Sequence, residues 1–267
     1  MDLGLTGKVA LVSGSYRGTG SGIAEVLASE GASVAVHGFE AGQADEVVAR
    51  LRDAKLDARA VTGDLMTDSG AEQVANQALE LFGRVDILVN NYGVAEAGRW
   101  MATTTDEWVS VYQKNVLSGV RLVQALVPGM RERGWGRIIW LGTVGSTRPA
   151  ARMPHYYASK AVLPNVCVSL SKELSGTGIT VNLVSPGLIA TAEVRAHLMS
   201  RAAKKGWGDG WEAAQRGAIE EMTGNKGGKI AEIAEVASLV AYLASEQAAA
   251  INGSNFRIDG GASDLAL

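Results

Sequence analysis

The sequence predicts an α/β fold, a doubly wound sheet of about seven parallel strands covered by helices on both faces. Short β-branched runs bounded by Gly, Asp or Asn recur along the chain, and longer segments with helical periodicity lie between them. The two kinds alternate from end to end, which is the pattern of βαβ units. No Pro/Ser-rich linker, low-complexity tract or clear internal repeat interrupts the 267 residues. Residues 1–267 are therefore expected to form a single domain.

The first strand is expected at Val9 to Val12, running into Gly14-Ser15-Tyr16-Arg17-Gly18-Thr19-Gly20 and then a helical run that includes Ile23 to Ser29. Strands follow at Val34 to Val36 and Ala58 to Thr62, with a helix over Ala44 to Ala54 between them. A helix over Ala71 to Phe82 leads to a fourth strand at Val85 to Val89. One long helix is expected from Asp106 to Arg133, then a strand at Arg137 to Leu141, a helix from Tyr156 to Leu174 and a strand at Thr180 to Val184. Pro164 cannot donate to the carbonyl of Lys160 and should kink its helix; the freed carbonyl would either hold a water or mark a simple packing kink. The last strand is Asn255 to Ile258. The rhythm breaks over 191–229, where two helical pieces flank Gly206-Trp207-Gly208-Asp209-Gly210-Trp211. So short and Gly-punctuated an insertion suits a mobile substrate lid better than a second domain.

Composition narrows the function classes. Hydrophobic residues are 47% and charged residues 20%, as in a globular protein. The 25 Lys plus Arg against 28 Asp plus Glu give a net charge of −3 with no dense basic block, which argues against nucleic acid as a partner. No stretch approaches the roughly 20 apolar residues of a membrane helix, and a cytoplasmic protein without membrane contact is expected. Cys167 is alone, so it reads as a buried structural thiol rather than a disulfide or a metal ligand. His37, His155 and His197 have no metal-binding spacing, so no metal is expected, although His155 beside Tyr156 is placed to line a pocket.

The glycine loop follows a strand and opens a helix. Its glycines let backbone N–H groups approach a pyrophosphate at the positive end of the helix, although the same spacing also makes a tight turn. Two more loops follow strands on the same edge. Asp64-Leu65 offers a carboxylate either to an adenine amino group or as the cap of a helix beginning at Ser69. Asn90-Asn91-Tyr92-Gly93 either offers amides and a glycine for close approach to an adenosine ribose or forms a plain turn.

Tyr156 and Lys160 are four apart in a helical segment and so share a face. A neighbouring ammonium stabilises a phenolate and lowers the Tyr pKa from its ordinary value near 10. The glycine loop, Asn-Asn-Tyr-Gly, Asn115, a hydroxyl residue 13 before Tyr156, Pro186-Gly187 and the closing Asn252 to Gly261 accompany this pair. Together they resemble the short-chain dehydrogenase/reductase family, and in particular its 3-oxoacyl carrier protein reductase branch, with its Rossmann-type fold.

That resemblance implies an NAD(P)-dependent oxidoreductase interconverting a secondary alcohol and a carbonyl, here read as a ketoreductase. It implies that Tyr156 is the acid/base, that Lys160 tunes it and holds the nicotinamide ribose, and that Asn115 anchors a relay water. The family's substrate-orienting serine falls on Thr143, with Ser146 as the alternative. Pro186, Gly187, Ile189 and Thr191 resemble the loop that meets the nicotinamide carboxamide and the pyrophosphate. Tyr92 departs from the family's alanine, with no account from the sequence alone. The second strand ends Val36-His37-Gly38-Phe39, with Gly38 where an NAD enzyme carries an acid, and Arg17 is placed to pair with a 2′-phosphate. NADP is expected, with NAD possible.

The cofactor-binding set is thus Gly14, Ser15, Tyr16, Arg17, Gly18, Gly20, His37, Asp64, Leu65, Asn91, Gly93, Tyr156, Lys160, Pro186, Gly187, Ile189 and Thr191. Trp207 and Trp211 would either close over an apolar substrate or dock the lid at a subunit contact. Arg195, His197, Arg201, Lys204 and Lys205 would either favour an acidic substrate or form a solvated face. The resemblance also implies a homotetramer. A non-catalytic, NADP-binding redox sensor of the same fold is the competing function.

Overall fold

The computed structural model describes residues 2–264. Its centre is one sheet of seven parallel strands: β1 (Val9–Val12), β2 (Ser33–Gly38), β3 (Ala58–Thr62), β4 (Ile87–Asn90), β5 (Gly136–Leu141), β6 (Ile179–Pro186) and β7 (Asn255–Ile258). The order across the sheet is β3-β2-β1-β4-β5-β6-β7. Every pairing is parallel, as in Val12 opposite Val36 and Val89. Between β1 and β4 the winding reverses, so connections leave in opposite directions and open a crevice at the carboxyl ends of these strands.

Burial on both faces explains the unbroken apolar runs. In β1, Ala10 and Val12 point into one core, which is filled from α1 (Gly18–Ser29), α2 (Asp45–Asp53) and α10 (Ile233–Ala244) by Ile23, Leu51 and Val240. Val9 and Leu11 point into the other, filled from α3 (Asp68–Phe82), α5 (Ser118–Arg133) and α7 (Leu163–Glu173) by Val74, Leu122 and Cys167. The Cys167 thiol is buried and donates to Val181 O, and burial pushes its pKa up to about 12.

Three segments differ from expectation. The long helix from Asp106 is two helices, α4 (Thr105–Tyr112) and α5, joined by a π-turn at Gln113–Leu117. The helix around Pro164 divides into α6 (Pro154–Ala161) and α7, with Pro164 in the first turn of α7, where a missing N–H costs nothing. The Val162 N–H points to Lys160 O where the two helices meet. Residues 191–229 carry α8 (Ala192–Lys205), α9 (Gly210–Ala218) and a π-turn (Ile219–Thr223). They close on a small core of their own, built on Leu198, Ala202, Ala214 and Ala218.

Trp207 and Trp211 belong to that small core. A Cβ on Gly217 would lie 2.1 Å from Trp207 Cδ2, so the indole lies flat against that glycine. Its Nε1 donates to Glu221, and Trp211 lies under the Arg195 guanidinium at 4.2 Å. Neither tryptophan closes over the crevice; both hold 191–229 together from within.

Candidate active site

The glycine loop bends where β1 meets α1, with Gly14 at φ +61° and Gly18 at φ +56°, a region that L side chains rarely adopt. Beneath it lies His37, fully buried. Its Nδ1 accepts from Gly14 N at 2.9 Å and its Nε2 lies 3.0 Å from Gly63 O, which requires the neutral ring with hydrogen on Nε2. Burial lowers its pKa from 6.5 to about 4. His37 therefore props the loop from below and presents nothing to a ligand, which corrects its place among the cofactor contacts. The Ser15 hydroxyl is spent likewise, donating to Val12 O and accepting from His37 N.

A cleft of about 730 Å³ opens above the loop. Of the expected cofactor residues, Gly14, Tyr16, Arg17, Gly18, Gly20, Asn91, Gly93, Tyr156, Lys160, Pro186 and Ile189 line it. The Asn91 amide donates to Ser13 O and Gly14 O, fastening the end of β4 to the loop. A Cβ on Gly20 would meet Asn91 Nδ2 at 2.5 Å, and one on Gly93 would meet Lys160 Nζ at 2.9 Å. Both glycines are thus required by close approach, and the trough they leave is lined by backbone, as a pyrophosphate and a ribose require.

Asp64 and Leu65 lie away from this lining. Asp64 Oδ1 accepts from Met66 N in a local turn, and Leu65 is in the core. The helix that follows is capped by Thr67, whose hydroxyl accepts from Gly70 N, so Asp64 is not its cap. Thr191 caps α8 by accepting from Val194 N.

Tyr156 lines both this cleft and a second cavity of about 520 Å³, which Thr143 and Gly187 also line. The Thr143 hydroxyl accepts from Gly145 N and shares the wall of the second cavity with Tyr156. Ser146, the alternative, donates its hydroxyl to Thr143 O and is thereby occupied. Burial raises the Tyr156 pKa above 10, the nearby Thr143 hydroxyl opposes this, and Tyr157 adds to the rise. Lys160 Nζ is buried and donates to Leu141 O at 2.8 Å, and burial brings its own pKa from 10.5 to about 8.

Asn115 lies in the π-turn, where Oδ1 accepts from Val94 N and Nδ2 donates to Val94 O and Ser159 Oγ. The same Ser159 hydroxyl donates to Tyr156 O. The π-turn is thereby tied to the helix that carries Tyr156 and Lys160.

A family model described as enoyl-(acyl carrier protein) reductase matches residues 14–263. The chain belongs to the short-chain dehydrogenase/reductase family. It is 34% identical to an uncharacterized oxidoreductase, YvaG, of Bacillus subtilis, over 98% of each chain. It is 33% identical to the 3-oxoacyl-[acyl-carrier-protein] reductase FabG of Vibrio cholerae, over 97% of this chain and 98% of the relative. Among solved structures, L-sorbose reductase from Gluconobacter frateurii, complexed with NADPH and L-sorbose, superposes with a TM-score of 0.91 at 31% identity, covering 99% of this chain and 100% of that one.

Within this short-chain dehydrogenase/reductase, several lining residues were not anticipated. Thr19, Phe39, Val94, Ala95, Gly142 and Glu193 face the cleft, and Met153, Tyr157, Leu188 and Ile230 face the second cavity. Phe39 had a signal, as the residue just after the second strand. Tyr92 gains an account: its ring packs on Phe39 at 4.6 Å and its Cβ lies against Gly14, so the pair walls one end of the cleft. Burial pushes the Tyr92 phenol up to about 12. His155 packs against Trp108 and Gly98 and lines neither cavity. Arg195 pairs with Glu232, and Arg201 and Lys205 meet Glu221. None of these, nor His197 or Lys204, lines either cavity, so the expected pull on an acidic substrate is not supplied by them. Among the described residues no cluster of His, Cys, Asp and Glu is arranged to hold a metal, and no helix is long and apolar enough to cross a membrane.

Proposed function

We propose that this chain reduces a carbonyl compound to a secondary alcohol, reversibly and with NADP(H), using Tyr156 as acid/base. The observation that carries the reading is the position of Tyr156, which lines both the glycine-loop cleft and the second cavity, the latter together with Thr143. Gly14, Gly18 and Gly20 would cradle the pyrophosphate, Gly93 and Lys160 the nicotinamide ribose, and Pro186, Ile189 and Thr191 the carboxamide and adjoining phosphate. When bound, the reduced nicotinamide supplies hydride.

The chain's own residues supply the rest. A phenol held above its ordinary pKa by burial is protonated at neutral pH, so Tyr156 can donate a proton from Oη to the substrate oxygen. Thr143 orients that oxygen by hydrogen bonding. Lys160 would exchange Leu141 O for the ribose and stabilise the phenolate left behind. The resemblance to the family adds a relay water at Asn115 that returns the proton.

The second cavity, at about 520 Å³, favours a compact substrate. Its wall joins Met153, Leu188 and Ile230 to two charged side chains, Arg148, which donates to Ala262 O, and Asp259, which accepts from Gly261 N and Ser263 N, while the Asn225 amide is occupied by Gly227 N and Lys229 O. NADP is favoured over NAD by Arg17 and by Gly38 at the end of β2, and NADPH in the sorbose reductase supports this. The whole chain would act as one catalytic domain with 191–229 as its lid, in a cytoplasmic homotetramer; light scattering showing a monomer would contradict the assembly.

The test is the loss of nicotinamide absorbance with a panel of ketones, aldehydes and alcohols. Turnover is expected with NADPH preferred, falling at least about a hundredfold in Tyr156→Phe and about tenfold in Thr143→Val. Cofactor binding without turnover would favour the redox-sensor reading. Near-wild-type rates in Thr143→Val would remove its role.

A further inference from the structure

Among the described residues, three charged ones line the cleft: Arg17, Lys160 and Glu193. Lys160 donates to Leu141 O and is assigned to the nicotinamide ribose. Arg17 and Glu193 face each other across the mouth, one on the glycine loop and the other in the first turn of α8, with Nη1 3.8 Å from Oε1. Glu193 is held ionised by its own backbone N–H, by the Thr191 hydroxyl and, to a smaller extent, by Arg17.

Arg17 is also linked to the end of β2 through its neighbour Tyr16. Its guanidinium is 5.3 Å from the centroid of the Tyr16 ring, which packs edge-on against Phe39 at 6.4 Å. That end of β2 supplies no cation of its own, since His37 is buried and neutral and no Lys or Arg occurs from Ser33 to Ala49. A dianionic phosphate on the adenosine ribose would therefore have to draw Arg17 away from Glu193.

We infer that Glu193 sets the cofactor preference of this cleft by competing with the ribose 2′-phosphate for Arg17. The inference rests on the reading that a nicotinamide dinucleotide fills the cleft. Binding of NADPH breaks the Arg17–Glu193 pair and replaces it with a charge-assisted contact to phosphate, whereas NADH leaves the pair intact. Glu193 thereby selects against NADPH without touching the group it discriminates. Because both side chains are mostly exposed, at 67% and 61%, water screens the pair and the effect is modest.

Isothermal titration of NADPH and NADH into the wild type, Glu193→Gln, Arg17→Ala and the double variant tests this by binding alone. Glu193→Gln is expected to raise the NADPH-to-NADH affinity ratio about two- to fivefold, the range an exposed pair spans. Arg17→Ala should lower it about tenfold or more. In the Arg17→Ala background, Glu193→Gln should leave the ratio where it is, because there is no cation left to compete for. An equal gain for both cofactors would mean that Glu193 merely repels the shared pyrophosphate, and would overturn the inference. So would a ratio that still rises without Arg17. A wild type that binds neither dinucleotide would instead overturn the reading of the cleft itself.

Discussion

Acidification should loosen the glycine loop before it unfolds the rest of the chain, because the loop is propped by a histidine that must stay neutral. His37 Nδ1 accepts from Gly14 N, so protonating that nitrogen removes the acceptor and buries a charge. A pKa of about 4 in the folded state against 6.5 in the unfolded state is worth roughly 3 kcal/mol, at 1.36 kcal/mol per pH unit. The sign follows from proton counts: between these values the unfolded chain binds the proton and the folded chain does not. The stabilisation is therefore complete above pH 6.5 and is lost as pH falls towards 4. Urea denaturation from pH 7.5 to 4 would compare the wild type with His37→Asn, whose amide offers one acceptor and one donor but does not titrate. Carboxylates titrate equally in both proteins, so the difference between the curves isolates His37. The wild type should lose roughly 3 kcal/mol relative to the variant over this window, and its affinity for dinucleotide should weaken in parallel. Stability curves that stay parallel between pH 6.5 and 4 would refute the neutral, load-carrying imidazole.

Other positions give sharper local outcomes. Gly93→Ala places a methyl 2.8 Å from Asn115 Oδ1 and 2.9 Å from Lys160 Nζ, and should cost about a hundredfold in kcat/KM through displacement of the lysine, measured with saturating cofactor. Ser159→Ala leaves one buried Asn115 N–H without a partner, at about 1–3 kcal/mol. Its Tm should fall by several degrees together with kcat, and Ser159→Thr should recover part of both; a lowered Tm with full kcat would reduce Ser159 to a packing role. Trp207→Ala empties the small core of 191–229 and should increase proteolytic nicking there while the main sheet stays protected, as limited proteolysis would reveal.

The residue pattern made the sheet legible because its central strands are buried on both faces, which leaves continuous apolar runs such as Val9–Val12 and Ile87–Val89. The helix from Asp106 was legible only as a periodic run. Its π-turn adds a residue within an unbroken apolar pattern, and the hydrogen bonds of the Asn115 side chain to Val94 and Ser159 come from distant segments. Lys160 illustrates the same limit. Spacing puts it on one face with Tyr156, but whether its ammonium meets the phenol depends on what else lies within reach, and here that is Leu141 O.

By itself the sequence determined the parallel fold, the glycine loop and the Tyr156–Lys160 pair, because periodicity and four-residue spacing are local properties of a chain. Tertiary structure alone decided that His37 supports the loop from beneath, that Tyr92 and Phe39 wall the cleft, that Trp207 and Trp211 serve their own small core, and that Glu193 faces Arg17. Each of these depends on which segments the crossovers bring together. Partners 23, 53 or 176 positions apart leave no periodic trace in the sequence.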